Sequence, residues 1–204
     1  IRYLEWDNLV REYGWSRLLW YEYTISSSAS GVKSIYMADF TSDGDPDLIS
    51  ANYNSNEVKF HENDGSGFFN YTSTVSTNEM GVVKVYGAYI DDDLYLDIVA
   101  ASSSGNKITW FRNLDGMGNF DAEQFVSSSI SYVSDIDAFD SDGDSYTDVA
   151  GASMDGDRVV LYKGSAGGAF GSGINLSTTI MSPTALKSAD IDSDNDIDLF
   201  AATS

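Results

Sequence analysis

The chain has no cysteine, and its 204 residues include one histidine and two prolines. The absence of cysteine excludes disulfides as the covalent support of the fold. It also disfavours zinc, because without cysteine the single histidine cannot supply a cluster of zinc ligands. No apolar run is long enough to span a membrane and no signal peptide is visible, so we expect no membrane insertion.

Positive charge is scarce as well. Eleven Lys and Arg residues against 32 Asp and Glu residues give a formal net charge of -21. Such a chain repels polyanions, so nucleic acid and anionic membrane surfaces are poor partners. We expect one domain over residues 1–204, because the hydrophobic content is 42% and no linker is visible. A start at Ile1 rather than at methionine is typical of a mature or excised segment, and the sequence leaves the oligomeric state open.

Acidic loops recur along the chain at a regular interval. The stretch "DFTSDGDPDLISAN" from Asp39 returns from Tyr89, Asp140 and Asp190, at spacings of 50, 51 and 50 residues. Small and aliphatic residues follow each loop in the same phase. A repeat of this length indicates an array of one supersecondary unit.

Each unit is predicted to contain four short strands. In the second copy these are "VVKVYGAYI", "DIVAAS", "KITWFRN" and "EQFVSS", separated by clusters of Gly, Asn, Asp and Ser. The sequence therefore predicts an all-β fold, a β-propeller of four four-stranded blades.

The two ends of the chain lie in the same phase of the repeat. We expect the N-terminal strands, within "IRYLEWDNLVREYGW" and "RLLWYEYTIS", to complete the blade that "ALKSADI" and "DLFAATS" begin. Both "IRYLEW" and "NLVREY" fit the third strand of that blade. The alternative is an open fragment of a larger ring.

The acidic loops follow the template D-x-D-x-D-G-x-x-D. This matches the first nine positions of a calcium loop, in which the seventh residue offers its backbone carbonyl. Unpaired carboxylates in a compact loop repel one another, and a hard divalent cation relieves that repulsion. Magnesium would rarely use so many protein oxygens. The sequence therefore predicts up to four calcium ions.

The candidate metal ligands lie in the four loops. They are Asp39, Thr41, Asp43, Asp45 and Asp47; Asp91, Asp93, Tyr95 and Asp97; Asp140, Asp142, Asp144, Tyr146 and Asp148; and Asp190, Asp192, Asp194, Asp196 and Asp198.

The four loops are not equal. The loops from Asp140 and Asp190 keep every acid, with Ser145 and Asn195 at the glycine position. The loop from Asp39 has Thr41 at the third position. The loop from Tyr89 lacks the first acid and has Leu94 at the turn, so we expect it to bind calcium most weakly.

These loops carry a resemblance to a known family. The acidic loop, the aliphatic strand, steps such as "GAS" at 151–153 and turns such as "GAFG" at 168–171 resemble FG-GAP and VCBS repeats. Such repeats build the propellers of integrin alpha subunits and of many bacterial surface proteins. The resemblance implies calcium in the loops between strands one and two, and a role in adhesion or ligand recognition outside the cytoplasm. Relatives usually have seven blades, whereas this chain holds four repeats.

A binding module is expected rather than an enzyme. The sole histidine, His61, is predicted to be an exposed surface residue, and no nucleophile set or phosphate loop can be assembled. The alternatives are a calcium-dependent polysaccharide lyase or hydrolase, for which Lys33, Lys84 and Lys187 are unconvincing bases, or a purely structural fragment. A carbohydrate or protein ligand is expected on the face opposite the calcium loops.

Overall fold

The computed structural model describes residues 2–7, 19–194 and 196–203. Apart from the 3-10 turn Ala166–Gly168, its regular elements are strands. No helix in this described part is long and apolar enough to cross a membrane. The strands are β1 Arg2–Asp7, β2 Leu19–Thr24, β3 Val32–Ala38, β4 Asp47–Asn52, β5 Glu57–Glu62, β6 Tyr71–Ser76, β7 Val82–Ala88, β8 Asp97–Ser102, β9 Lys107–Phe111, β10 Gln124–Ser127, β11 Val133–Phe139, β12 Asp148–Ser153, β13 Arg158–Tyr162, β14 Gly164–Ser165, β15 Ala169–Phe170, β16 Ile174–Ser177, β17 Pro183–Ala189 and β18 Asp198–Thr203.

Three antiparallel four-stranded sheets follow the repeat. The first sheet has the order β3-β4-β5-β6, the second β7-β8-β9-β10 and the third β11-β12-β13-β16. The short hairpin β14–β15 lies between β13 and β16 in the chain. β17 and β18 pair as the first half of a fourth unit, and β1 and β2 pair with each other.

The observed strands agree with the sequence prediction. In the second repeat β7, β8, β9 and β10 fall inside the four predicted segments, and the all-β class is confirmed. β1 falls on "IRYLEW", whereas the alternative "NLVREY" lies outside the described residues.

The sheets pack face to face, so their central strands are buried on both sides. Every residue of β4, β8 and β12 is buried. Phe60 of the first sheet belongs to one core cluster with Ile98 of the second. Trp110 of the second sheet belongs to another cluster with Val149 of the third. Two-sided burial explains why these strands are rich in small and aliphatic residues.

The first strands of the four repeats converge. β7 contacts both β3 and β11, and β11 contacts β17. The rings of Tyr36 and Tyr86 lie 4.8 Å apart between centroids. Lys187 Nζ lies 3.0 Å from Asp137 Oδ1 and 5.6 Å from the Tyr86 ring centroid. Four residues, one from each repeat, therefore lie together beside the inner strands.

The two ends of this array keep exposed apolar residues. Ile35 on β3 is 49% exposed, although Val85 and Ile136 at the same repeat position are buried. Phe200 on β18 is 46% exposed. Among the strand pairs of the described residues none joins β18 to β1, so closure of the fourth blade by the N-terminal strands stays a prediction.

The prediction that His61 is exposed was wrong. The side chain is fully buried, with Nε2 3.1 Å from Ser50 Oγ and Nδ1 3.0 Å from Thr72 Oγ1. β5 lies inside the first sheet, where alternation along the strand does not separate a solvent face from a core face. Burial lowers the pKa of His61 to about 4.

Buried His61 should make stability depend on pH. The unfolded chain binds a proton at this residue near pH 6.5, whereas the folded chain binds it only near pH 4. The neutral imidazole therefore supports folding above pH 6.5, and about 3 kcal/mol is lost as pH falls to 4. The variant His61→Gln should show a flatter pH dependence in urea unfolding with chelator present.

Burial raises the pKa of Asp47 and Asp97. The protonation of these two acids favours the folded state as the pH falls, which is opposite in sign to the effect of His61. The difference between the native protein and His61→Gln isolates the histidine, because both proteins share the acids. Parallel curves for the two proteins would show that His61 does not titrate in this range.

Candidate metal centres

Each acidic loop connects the first and second strands of its repeat. The loops leave β3, β7, β11 and β17, and the last acid of each is the first residue of the next strand: Asp47, Asp97, Asp148 and Asp198. All four loops therefore lie at the same end of their sheets.

The last acid of the loop is a buried clamp in the first three repeats. Asp47, Asp97 and Asp148 are at most 1% exposed. Asp97 Oδ2 accepts the Ile90 N–H at 3.0 Å and Oδ1 accepts the Asn113 N–H at 2.8 Å. A buried carboxylate is tolerated when hydrogen bonds replace its water, and here they tie the loop to the end of the third strand.

The other two clamps repeat this arrangement. Asp47 accepts the Phe40 N–H at 3.0 Å and the Asn63 N–H at 3.0 Å. Asp148 accepts the Gly164 N–H at 2.7 Å and also binds Ser141. Burial raises the pKa of Asp97 to about 7, although the backbone hydrogen bonds oppose that rise.

The loop acids of the third and fourth repeats converge. Oxygens of Asp140, Asp142 and Asp144 lie within 4.8 Å of one another, and so do those of Asp190, Asp192 and Asp194. These residues hold template positions one, three and five. Such groups of carboxylate oxygens are the donor set of a hard cation. The clamps Asp148 and Asp198 lie outside both groups.

The first acid of a loop also bonds its own turn. Asp140 accepts the N–H groups of Gly143 and Ser145, both at 2.8 Å. Asp190 accepts the Ser193 N–H at 2.7 Å. These side chains thus support the loop backbone as well as facing their neighbours.

The glycine position of the template, its sixth residue, has a left-handed backbone in the first and third loops. Gly44 has a φ of 94° and Ser145 a φ of 72°. Leu94 does not adopt a positive φ. Asn195, expected to take the same conformation, lies outside the described residues. The turn of the second loop is therefore built differently.

The seventh position shows one contact in all four repeats. The N–H groups of Asp45, Tyr95, Tyr146 and Asp196 each donate to the acid two residues earlier, at 2.8–2.9 Å. Their carbonyls as metal ligands stay a prediction.

The first loop is arranged around Asp39 rather than around an acid group. Asp39 accepts the N–H groups of Asp43 and Gly44, at 3.2 and 2.9 Å. Thr41, at the third position, donates its hydroxyl to Asp47 at 3.1 Å. Within the described residues, the convergent acid groups of the third and fourth loops have no counterpart here.

In the second loop a guanidinium contacts the acids. Arg112 Nε lies 2.5 Å from Asp91 Oδ2, and Nη2 lies 3.1 Å from Asp93 Oδ2. In the third repeat Lys163 pairs with Asp142. The sequence analysis predicted a role for neither cation. A signal was present, because Glu62, Arg112 and Lys163 hold the same position in successive repeats, at spacings of 50 and 51 residues.

A cavity of about 470 Å³ opens between the second and third loops. Its wall combines two tyrosines, three aspartates and two hydroxyl residues, together with Leu94 and Ile90. Tyr89 is 57% exposed and Leu94 is 89% exposed. The lining residues are Tyr89, Ile90, Asp91, Asp92, Asp93, Leu94, Ser145, Tyr146 and Thr147.

The loops at the opposite end of the sheets bind one another. Asn56 Oδ1 accepts the Gly81 N–H, Asn106 Oδ1 the Tyr132 N–H and Asp157 Oδ1 the Ser182 N–H, each at 2.8 Å. Polar residues predicted to offer a ligand surface there are thus partly used to brace neighbouring repeats.

The three lysines considered as bases have structural contacts. Lys84 lies 3.0 Å from Asp135, and Lys187 lies 3.0 Å from Asp137. Lys33 lies over the Tyr53 ring, 5.4 Å from its centroid. Burial opposes the charge on Lys187, but the hydrogen bond to Asp137 raises the pKa of its ammonium above the ordinary value, which makes Lys187 a poor proton acceptor.

No curated protein matches the chain significantly in sequence. A solved lectin of Agrocybe aegerita, described as recognising non-reducing terminal N-acetylglucosamine, superposes with a TM-score of 0.52 and 21% identity, covering 72% of this chain and 39% of that one. The V. cholerae biofilm matrix protein Bap1 gives a TM-score of 0.46 and 20% identity, covering 82% of this chain and 27% of that one.

The chain thus spans 39% and 27% of the lengths of these two proteins, and the likeness to the lectin shows a shared fold. The sequence itself matches a family model over residues 39–100, described as an FG-GAP-like repeat. This segment runs from the first acidic loop through the second, so the resemblance drawn from the sequence is confirmed over residues 39–100, which are similar to an FG-GAP-like repeat.

Proposed function

We propose that this chain is a calcium-binding recognition module, built as a four-bladed β-propeller and working outside the cell. The observation that carries the proposal is the convergence of Asp140, Asp142 and Asp144, repeated by Asp190, Asp192 and Asp194. Three carboxylates within 4.8 Å repel one another unless a cation neutralises them. Oxygen donors and the absence of cysteine favour calcium.

Calcium would act on the fold and not on a reaction. The grouped acids lie between the end of one strand and the clamp that begins the next, so a cation there would hold β11 to β12 and β17 to β18. A chain without disulfides gains a comparable constraint from such an ion. The first loop is a weaker candidate, because its acids bind the turn instead of converging.

The propeller arrangement is supported by the convergence of the inner strands. Tyr36, Tyr86, Asp137 and Lys187 hold one position in successive repeats. Tyr36 contacts Tyr86, and Lys187 contacts both Tyr86 and Asp137. The face-to-face packing of the sheets also agrees with blades around an axis. In a closed ring, exposed Ile35 and Phe200 would each be covered by the blade across the gap.

Recognition is proposed for the end of the sheets that carries the acidic loops. The cavity between the second and third loops offers the exposed ring of Tyr89 and the half-buried ring of Tyr146 beside carboxylates and hydroxyls, which suits the faces and hydroxyl groups of a carbohydrate. The lectin with the same fold recognises a terminal sugar. The earlier expectation, a carbohydrate or protein ligand on the opposite face, stays a prediction.

The chain is proposed not to be an enzyme. Three aspartates line the cavity and its lining includes no lysine or arginine, so the cavity would repel the acidic sugars of a lyase substrate. The buried position of His61 also keeps it from acting as a base on a bound ligand.

Chelation should lower the melting temperature. A ligand present at a hundredfold excess over its dissociation constant stabilises the folded state by about 2.7 kcal/mol. Each occupied loop should therefore raise the melting temperature by roughly 5–10 °C. Asp194→Ala should narrow the gap between melts in millimolar calcium and in chelator, because it removes the central ligand of the fourth loop.

Asp155→Ala is the matched control, since Asp155 is exposed and lies outside the acidic loops. It should leave the calcium-dependent gap unchanged. Melts of the native protein that overlay in calcium and in chelator would refute calcium binding.

Removal of residues 1–25 should unfold the protein or make it oligomerise. In the proposed ring these residues supply the outer strands of the fourth blade, and their loss leaves an unpaired strand edge on β18. Size-exclusion chromatography and far-ultraviolet circular dichroism measure both outcomes. A stable monomeric deletion would indicate an open segment of a larger ring.

Two tyrosine variants should locate the ligand. Tyr89 lines the cavity beside the acidic loops, whereas Tyr132 is 39% exposed in a loop at the opposite end. On an array of neutral glycans and peptides read with calcium, Tyr89→Ala should lose at least tenfold in binding and Tyr132→Ala should bind normally. The reverse result would move recognition to the opposite face, and no binding by the native protein would refute recognition of these ligand classes.

A further inference from the structure

The second acidic loop contains a positive charge of its own. Arg112 donates from Nε to Asp91 and from Nη2 to Asp93, which hold template positions three and five. Those positions supply two of the three converging acids in the third and fourth loops. The Asp91 side chain is only 5% exposed. The guanidinium therefore neutralises carboxylates of which one is largely removed from water.

The lysine at the same repeat position is placed differently. Lys163 contacts one acid, Asp142, whose side chain is 36% exposed, whereas the Asp91 side chain is 5% exposed; the two cations themselves are equally exposed, Lys163 at 42% and Arg112 at 44%. The oxygens of Asp140, Asp142 and Asp144 still converge beside it. Exposed single pairs of this kind contribute little to stability. Arg112 bridges two acids, which a planar guanidinium does better than an ammonium.

The rest of the second loop fits a fold without a bound ion. Tyr89 replaces the first acid, so the loop keeps acids at two of the three converging template positions, although Asp92 brings its total to four, as in the third loop. Leu94 makes the turn without a positive φ. Asp92 accepts the Gly167 N–H at 3.0 Å, from the turn before β15 in the next repeat. The loop is thus held by contacts that the protein supplies.

We propose that Arg112 is the resident cation of the second loop and takes the place of a divalent ion there. The loop then keeps its shape when calcium is absent, while the third and fourth loops require the ion. The comparison with those loops rests on the proposed calcium binding. The role of Arg112 does not, because it is read from contacts within the second loop.

The experiment compares Arg112→Gln with Lys163→Gln, which removes the other cation of the same repeat position. In chelator Arg112→Gln should melt roughly 5 °C below the native protein, because a poorly exposed carboxylate loses its partner. Lys163→Gln should melt within about 1 °C of it. In millimolar calcium Arg112→Gln should recover most of its loss and, by equilibrium dialysis, bind one more ion than the native protein.

Arg112→Lys keeps the charge and serves if Arg112→Gln does not fold. It should bind no additional calcium and should melt nearer to the native protein in chelator. Equal melting temperatures for Arg112→Gln and Lys163→Gln in chelator would overturn the proposal. If calcium stabilises the native protein, a deficit of Arg112→Gln that calcium does not reduce would overturn it too, because the guanidinium would then act as a hydrogen-bond donor and not as a replaceable charge.

Failure of the calcium proposal would look different. In that case the native protein would melt identically in calcium and in chelator, and dialysis would find no bound ion. The difference between Arg112→Gln and Lys163→Gln in chelator would still decide whether Arg112 stabilises the second loop.

Discussion

A buried carboxylate at the start of the second strand is the constraint on which the first three repeats depend. Asp47, Asp97 and Asp148 give up contact with water and must accept hydrogen bonds from the backbone. The donors lie at the beginning of the acidic loop and at the end of the third strand. Three separate segments are thereby held in one geometry. Most of the remaining loop acids then lie toward solvent, where they can meet a ligand or one another, whereas Asp91 is largely covered.

Much of this architecture could be predicted because short segments of the sequence determine it. Two-sided burial requires runs of small and aliphatic residues, so β8 could be placed at "DIVAAS" from letters alone. Turn chemistry is equally local, since Gly44 and Ser145 mark positions where a left-handed backbone is required. The fourfold recurrence then separates these signals from chance, because each copy tests the same assignment.

The features that could not be predicted depend on contacts between side chains and backbone groups that lie far apart in the sequence of one repeat. The template treats the clamp as one more metal ligand, and only the burial of Asp97 and its bonds to Ile90 and Asn113 reveal its separate role. His61 was assigned to the surface because alternation cannot report that both faces of a strand are covered. Arg112 follows its loop acids by about twenty residues, and the direction of its side chain is not encoded in the spacing.

The charged residue at the end of the third strand differs between repeats that share one backbone plan, so the charge beside the acidic loop differs as well. Glu62, Arg112 and Lys163 hold this position in successive repeats, so the first adds negative charge beside its loop and the next two subtract it. A chain of net charge -21 must neutralise its loops somewhere, and an internal guanidinium does so whatever ions surround the protein. The second loop lies between neighbours on both sides and lines the cavity. A wall that keeps its shape without an exchangeable ion is the one best suited to hold a ligand, because its geometry does not vary with the ion concentration outside.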